Sequence, residues 1–201
     1  NLKLEEIEKR IHQYKPKIIC FVVYGQQPSA SSQNMEGATR VSKIIKKIKP
    51  DCFILFVGGH VAALPDETLR FESSIDAVCS NEGVYTIRNL LKVEKLEETY
   101  LKNVPGLVFK NSEKNIIKNV PSTIVPKMNL SEDLPGMAWD LLRPLSEYRT
   151  AGWHSWSNNS EKSPFAALYT SLGCPYKCSF CMINIINRTN FEKDQSSENF
   201  N

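Results

Sequence analysis

The sequence predicts an α/β fold built on a partial, doubly wound parallel sheet of Rossmann type, followed by a linker and the opening of a second unit. Three observations carry this. The runs "KIICFVV", "CFILFV" and "IDAVC" are apolar at nearly every position. Amphipathic segments separate them, and each run ends in a polar or glycine-bearing turn. Strands apolar on both faces, alternating with helices, are the pattern of a parallel sheet covered on both sides.

Taken in order, Leu4, Ile7, Ile11 and Tyr14 recur at helical spacing, and Pro16 ends that helix before the first strand at 17–25. After the polar loop "QQPSASSQ", Met35, Ala38, Val41, Ile44, Ile45 and Ile48 form one helical face, with Asn34 as the expected cap. Lys46, Lys47 and Lys49 suit the C-terminal end of that helix, and the charges of "KIIKKIK" read as a solvated face. The second strand "CFILFVGG" leads into "LPDETLRF", a short helix opened by Pro65. "IDAVCS" is the third strand and "NEGVYTIRNLLK" a turn and helix. "GLVFK" and "NIIKN" read as a small hairpin over 106–119, and a proline-rich segment continues to a polar loop with Trp153, His154 and Trp156. His154 in that loop reads as a packing residue rather than a substrate contact. "PFAALYTS" at 164–171 is a further buried strand. The expected organisation is an α/β domain over 1–93, a hairpin and linker over 94–163 and the start of a second domain over 164–201.

Composition excludes several classes. The 201 residues are 41% apolar and carry 25 basic against 22 acidic side chains, with lysines scattered among glutamates, so no nucleic-acid surface is expected. No apolar run reaches membrane-spanning length and no leader pattern opens the chain, which predicts a cytoplasmic protein without a membrane partner. The opening at Asn1 inside a helical pattern, and the end soon after Cys181, predict a fragment.

In a reducing compartment the six cysteines are thiols or metal ligands. Cys20, Cys52 and Cys79 fall in or beside the apolar runs and read as small core residues. Cys174, Cys178 and Cys181 crowd one loop, "LGCPYKCSFC". Structural zinc takes four ligands, usually as two pairs, and no second pair follows. An iron–sulfur cluster held by three cysteines would keep one iron without a protein ligand, open to a substrate or cofactor. A zinc or iron–sulfur module that merely staples a binding surface is the rival reading.

The loop "TSLGCPYKCSFC" resembles the cluster loop of radical S-adenosylmethionine enzymes, Cys-x-x-x-Cys-x-aromatic-Cys, at every motif position. The resemblance implies a [4Fe–4S] cluster on Cys174, Cys178 and Cys181, S-adenosylmethionine on the open iron with Phe180 near its adenine, and cleavage to a 5'-deoxyadenosyl radical. It also implies a flavodoxin or ferredoxin as electron donor, an unknown substrate, and a (β/α) barrel beginning at 164. "FVGGHVAALPDETLRF" with "IDAVCSNEGVYTIRNLL" is similar to the cobalamin-binding domain of the B12-type subgroup, which includes methyltransferases and cyclases. There Gly58, Gly59, His60, Glu82 and Gly83 would be the cobalamin contacts. Gly58 and Gly59 have an alternative role as an ordinary strand-to-loop turn, and His60 as a loop histidine with a backbone or solvent partner. The chain departs from the subgroup in having Ser80-Asn81-Glu82-Gly83-Val84 in place of a Gly-Glu-Gly-Glu-like turn, and it has no Asp-x-His-x-x-Gly motif. A cobalamin-independent rearrangement, cyclisation or sulfur insertion is the alternative chemistry.

Overall fold

The computed structural model describes residues 4–24 and 30–149 and, further on, 164, 166, 168, 173, 174, 176, 178–181 and 183–186. Five strands form one sheet in the order β1 (Ile18–Val22), β2 (Phe53–Val57), β3 (Ala77–Cys79), β4 (Leu107–Lys110), β5 (Ile116–Lys118). β1, β2 and β3 are parallel, with Ile54 beside Ile19 and Leu55 beside Ala77. β4 and β5 run antiparallel. The hairpin expected at the start of the linker is therefore the far edge of the sheet, because β4 pairs with β3 from Ala77–Phe109 to Cys79–Leu107.

Helices cover both faces, as the apolar strands require. α1 (Leu4–Tyr14), α2 (Ala30–Ile48), α3 (Gly59–Ala63) and α4 (Pro65–Phe71) share one face. Two successive crossovers of the same hand, moving along the sheet in one direction, place their helices together. Ile7, Ile11, Met35, Ile45, Val61 and Leu69 pack there on Ile54, Phe56 and Val78. α5 (Val84–Leu90) and α6 (Glu98–Leu101) cover the other face, where Leu90 and Leu101 meet Leu55, Val57, Ala77 and Cys79. β2 lies between two neighbours and under both layers. Ile54, Leu55 and Phe56 are fully buried, and each such side chain contributes about 1.5–3 kcal/mol of transfer free energy. The Phe56 ring stacks on Phe21 at 4.7 Å between centroids.

Two details differ from the sequence reading. α2 begins at Ala30, so Asn34 lies inside the helix, and its Nδ2 donates to the Tyr24 carbonyl at 2.7 Å. Its amide ties the helix to the end of β1 rather than capping it. α3 is an additional turn of helix between the Gly58 turn and Pro65. At the opposite end of the sheet, Lys46 at the C-terminal end of α2 reaches Asp76 at 2.7 Å and the Cys52 carbonyl at 2.8 Å. Asp76 in turn accepts from the Ile54 N–H at 2.7 Å, so one cation and one carboxylate fix the entry of β2.

Gly37 sits exposed within α2, and a Cβ there would meet nothing within 4 Å. Gly37→Ala is expected to raise the unfolding free energy by about 0.5–1 kcal/mol, since it removes only backbone freedom of the unfolded chain. A urea titration followed by circular dichroism reads this directly.

Candidate cofactor site

The C-terminal ends of the three parallel strands are the place where such sheets bind ligands. Of the first loop, 24–29, only Tyr24 is among the described residues. Val23 continues β1 by donating its N–H to the Val57 carbonyl at 2.7 Å. Gly58 follows with φ 148° and ψ 172°. A Cβ at Gly58 would lie 2.1 Å from the Val23 carbonyl oxygen, so the chain's own backbone is what requires glycine here. Gly59 is buried and opens α3.

His60 is held from two sides by the first turn of α2. Its backbone N–H donates to Ser31 Oγ at 3.0 Å, and Ser31 Oγ donates to the Val23 carbonyl at 2.5 Å. Its ring Nδ1 lies 2.9 Å from Ser32 Oγ. Partial burial lowers the imidazole pKa, because desolvation disfavours the cation. A neutral imidazole offers one N–H and one lone pair, the latter a good ligand for cobalt, nickel, zinc or iron. Ser31 and Ser32 are missed by a sequence reading, which places them in a loop; a Ser-Ser pair entering a helix beneath a Gly-Gly-His turn is the signal.

At the end of β3 the turn 80–83 faces inward. Asn81 is buried, donates Nδ2 to the Ser122 carbonyl at 2.8 Å and accepts the Gly83 N–H at 3.1 Å. Gly83 has φ 85°, and a Cβ would sit 2.5 Å from Val57 Cγ2. The partly buried Glu82 accepts the Val125 N–H on Oε1 at 2.6 Å. Asn81 and Glu82 thus clasp the segment that follows β5, with Gly83 shaping the turn.

Burial raises the Glu82 pKa above the ordinary carboxylate value, offset in part by the Val125 N–H. The folded state therefore holds a proton at this carboxyl over an interval in which the unfolded chain has released it, and stability falls as pH rises through that interval. Glu82→Gln keeps an oxygen for Val125 and cannot ionise. Its urea midpoint is expected to lack that fall and to exceed wild type at neutral pH, in a series from about pH 4 to pH 8.

The cysteine loop is different in character. Cys174 and Cys181 are half-buried and Cys178 is exposed, and none of the three is in a disulfide. Gly173 adopts φ 84°, and the Cys181 N–H closes a turn on the Cys178 carbonyl at 3.0 Å. Phe180 is 90% exposed. Cys52 and Cys79 are fully buried, whereas burial of Cys20 is partial and pushes its thiol up to about 11. These three stay protonated core groups, as their place in the sequence predicts. Among the described residues no three His, Cys, Asp or Glu side chains stand in metal-holding geometry. By donor type the loop nevertheless fits an iron–sulfur cluster: three reachable thiols on one tight turn. The strand expected at 164–171 and the loop around His154 lie largely or wholly outside the described residues.

One packing contact joins the two regions. After α7 (Leu130–Asp133), the short helix α8 (Ile183–Ile186), which follows Cys181, lies against α3, the helix that carries His60. Among the described residues no helix is long and apolar enough to cross a membrane.

Comparison with known proteins bears on this arrangement. Residues 1–91 match the family model of the B12 binding domain. Over 182 residues the chain is 31% identical to an uncharacterized methyltransferase of Pyrococcus horikoshii, an alignment covering 90% of this chain and 34% of that protein. It is 30% identical over 131 residues to the 4'-phospho-dehydrooxetanocin synthase of Priestia megaterium, covering 64% and 15%. A cobalamin-dependent radical SAM methyltransferase of Streptomyces tokunonensis is 25% identical over 154 residues, covering 74% and 20%. The chain thus spans about a third or less of the length of these relatives.

Proposed function

The chain belongs to the B12-binding family of radical S-adenosylmethionine proteins, and on that premise we propose that it serves a cobalamin-dependent methyl transfer to a substrate carbon. The observation that carries this reading is the apposition of α8 and α3. It brings a loop of three accessible thiols to the strand end that bears a half-buried imidazole. Two relatives named as methyltransferases support the transferred group. The relative named as a synthase supports a second reading, in which the radical modifies its substrate without methyl transfer.

Cys174, Cys178 and Cys181 would hold a [4Fe–4S] cluster with S-adenosylmethionine on its open iron, and cobalamin would lie over Gly58, Gly59 and His60. When bound, these groups supply the electron that cleaves the sulfonium to a 5'-deoxyadenosyl radical and the methyl group that is transferred. The chain's own part is placement. Ser31 and Ser32 fix His60, Gly58 lets β1 close under it, and the exposed Phe180 ring is available to stack on adenine. In this reading the protein works in the cytoplasm, where the thiols stay reduced, and draws electrons from a flavodoxin or ferredoxin.

The test uses the intact protein, reconstituted anaerobically with iron and sulfide, reduced, and examined by electron paramagnetic resonance with and without S-adenosylmethionine. A [4Fe–4S] signal that shifts on addition, together with cobalt retained after growth with cobalamin, is expected. A cluster indifferent to S-adenosylmethionine, or stoichiometric zinc, overturns the radical reading. A responsive cluster in a protein that takes up no cobalt leaves only the cobalamin-independent chemistry.

A further inference from the structure

The geometry points to a second ligand site, for a phosphate group, at the end of the sheet remote from the candidate cofactor site. A cavity of about 390 Å³ opens there between the C-terminal end of α2 and the turn after α4, lined by Lys43, Lys46, Lys47, Ser73, Ser74 and Asp76 among others. Its size is that of a small-molecule pocket, about 300–1,000 Å³. Three of the four lysines of "KIIKKIK" thus border one hollow rather than a solvated face. The charges around it do not cancel. Lys43 pairs with Glu72 at 2.8 Å and Lys46 with Asp76 at 2.7 Å, whereas Lys47 has no carboxylate within ion-pair distance among the described residues. Lys110 stands beside the cavity with its ammonium on the main-chain carbonyls of Glu72 at 3.1 Å and Ser73 at 3.4 Å. Burial, with the cations Lys46 and Lys114, holds its pKa below the ordinary lysine value against the pull of Asp76 and Glu72. Four ammonium groups against two carboxylates leave two positive charges. A phosphate monoester brings about 1.5–2 negative charges at neutral pH, which matches that surplus.

Donors for the phosphate oxygens are in place as well. Glu72 to Ile75 is a turn closed by the Ile75 N–H on the Glu72 carbonyl at 3.3 Å, and the main-chain N–H groups of its central residues, Ser73 and Ser74, meet no acceptor among the described residues. Successive main-chain N–H groups in a turn are a common seat for an anion. The turn is also fixed in advance. Ser42 donates to the Thr39 carbonyl at 2.9 Å, so the 2.7 Å contact between Ser74 and Ser42 is a hydrogen bond donated by Ser74, and Lys110 grips the turn's carbonyls. Asp76 and the negative end of α2 oppose an anion here. Lys46 answers both, since it bonds Asp76 and the carbonyls of Pro50 and Cys52. Lys47 is left to face the ligand. The site stands whether or not the sheet holds cobalamin.

Equilibrium dialysis of the intact protein against radiolabelled inorganic phosphate, with ionic strength held constant by potassium chloride, tests the site. A single phosphate per chain is expected at millimolar concentration, with affinity falling about tenfold or more in Lys47→Glu. Lys95→Glu makes the same change of net charge beside α6, on the other face of the sheet, and should bind as wild type does. Both lysines are exposed, so neither replacement disturbs the core. Absence of bound phosphate, wild-type affinity in Lys47→Glu, or an equal loss in Lys95→Glu overturns the site and leaves the proposed function standing. Competition with glycerol 3-phosphate then identifies the source of the phosphate group. Displacement of the label at lower concentration than unlabelled phosphate needs assigns the pocket to an esterified small molecule. Displacement only at higher concentration, or none, assigns it to the free ion, and either result keeps phosphate as the ligand chemistry.

Discussion

Gly58→Ala is expected to lower the unfolding free energy by roughly 3–5 kcal/mol, the sum of a strained backbone and an overpacked core. The added methyl would lie 2.1 Å from the Val23 carbonyl oxygen and 2.8 Å from its carbon. Both are main-chain atoms of the adjoining strand, and the same carbonyl already accepts from Ser31 Oγ. No rotamer change relieves the clash, and φ 148° is itself unfavourable for alanine. Domains of this size have a total stability of about 5–15 kcal/mol, so much of it would be lost. Urea unfolding of the variant beside Gly37→Ala gives the check, because the two glycine replacements should move the midpoint in opposite directions. A Gly58→Ala midpoint equal to wild type would mean that β1 can move away from the turn.

Cys178→Ala should separate chemistry from folding. Its side chain is exposed, and exposed substitutions of this kind change stability by about 0.5 kcal/mol or less. In the proposed function, however, loss of one of three thiolates would remove a ligand of the cluster. The variant is expected to keep the wild-type urea midpoint and to lose both the iron–sulfur absorbance and the cleavage of S-adenosylmethionine to 5'-deoxyadenosine. Retained iron with retained cleavage would remove Cys178 from the ligand set.

Most of the sheet was legible because its signals are local. The runs at Ile18–Val22, Phe53–Val57 and Ala77–Cys79 are apolar throughout, and the helices between them show a single greasy face. α3 was not legible. Gly59, His60, Val61 and two alanines show no helical period over five residues, and the turn forms because Val61 and Ala62 bury against the sheet. The place of the hairpin was hidden for another reason: its partner, β3, is distant in sequence. Pairing between separated strands leaves no trace in either segment alone.

The candidate site divides in the same way. Three cysteines on one loop declare themselves through spacing. Glu82 does not, since the group that engages it is the N–H of Val125, 43 positions away and common to any residue but proline. Gly58 was legible as a strand-end glycine, a cobalamin contact or an ordinary turn, but not as a position that the neighbouring strand reserves for glycine. Close approach of a ligand and close approach of Val23 leave the same residue in the sequence, and only the fold distinguishes them.

The clasp of Asn81 and Glu82 on Ser122 and Val125 also has a kinetic meaning. Along the covalent chain the cysteine loop is tethered far from His60. The clasp returns the backbone to the strand ends at Val125, and Tyr85 and Arg88 hold it again at Asp133, so the tether that counts begins beyond that point. A shorter tether confines its free end to a smaller volume, and the effective concentration of one site at the other rises as the span contracts. Polar side chains in and beside that turn thereby shorten the span between the thiol-bearing loop and the imidazole, without touching either one.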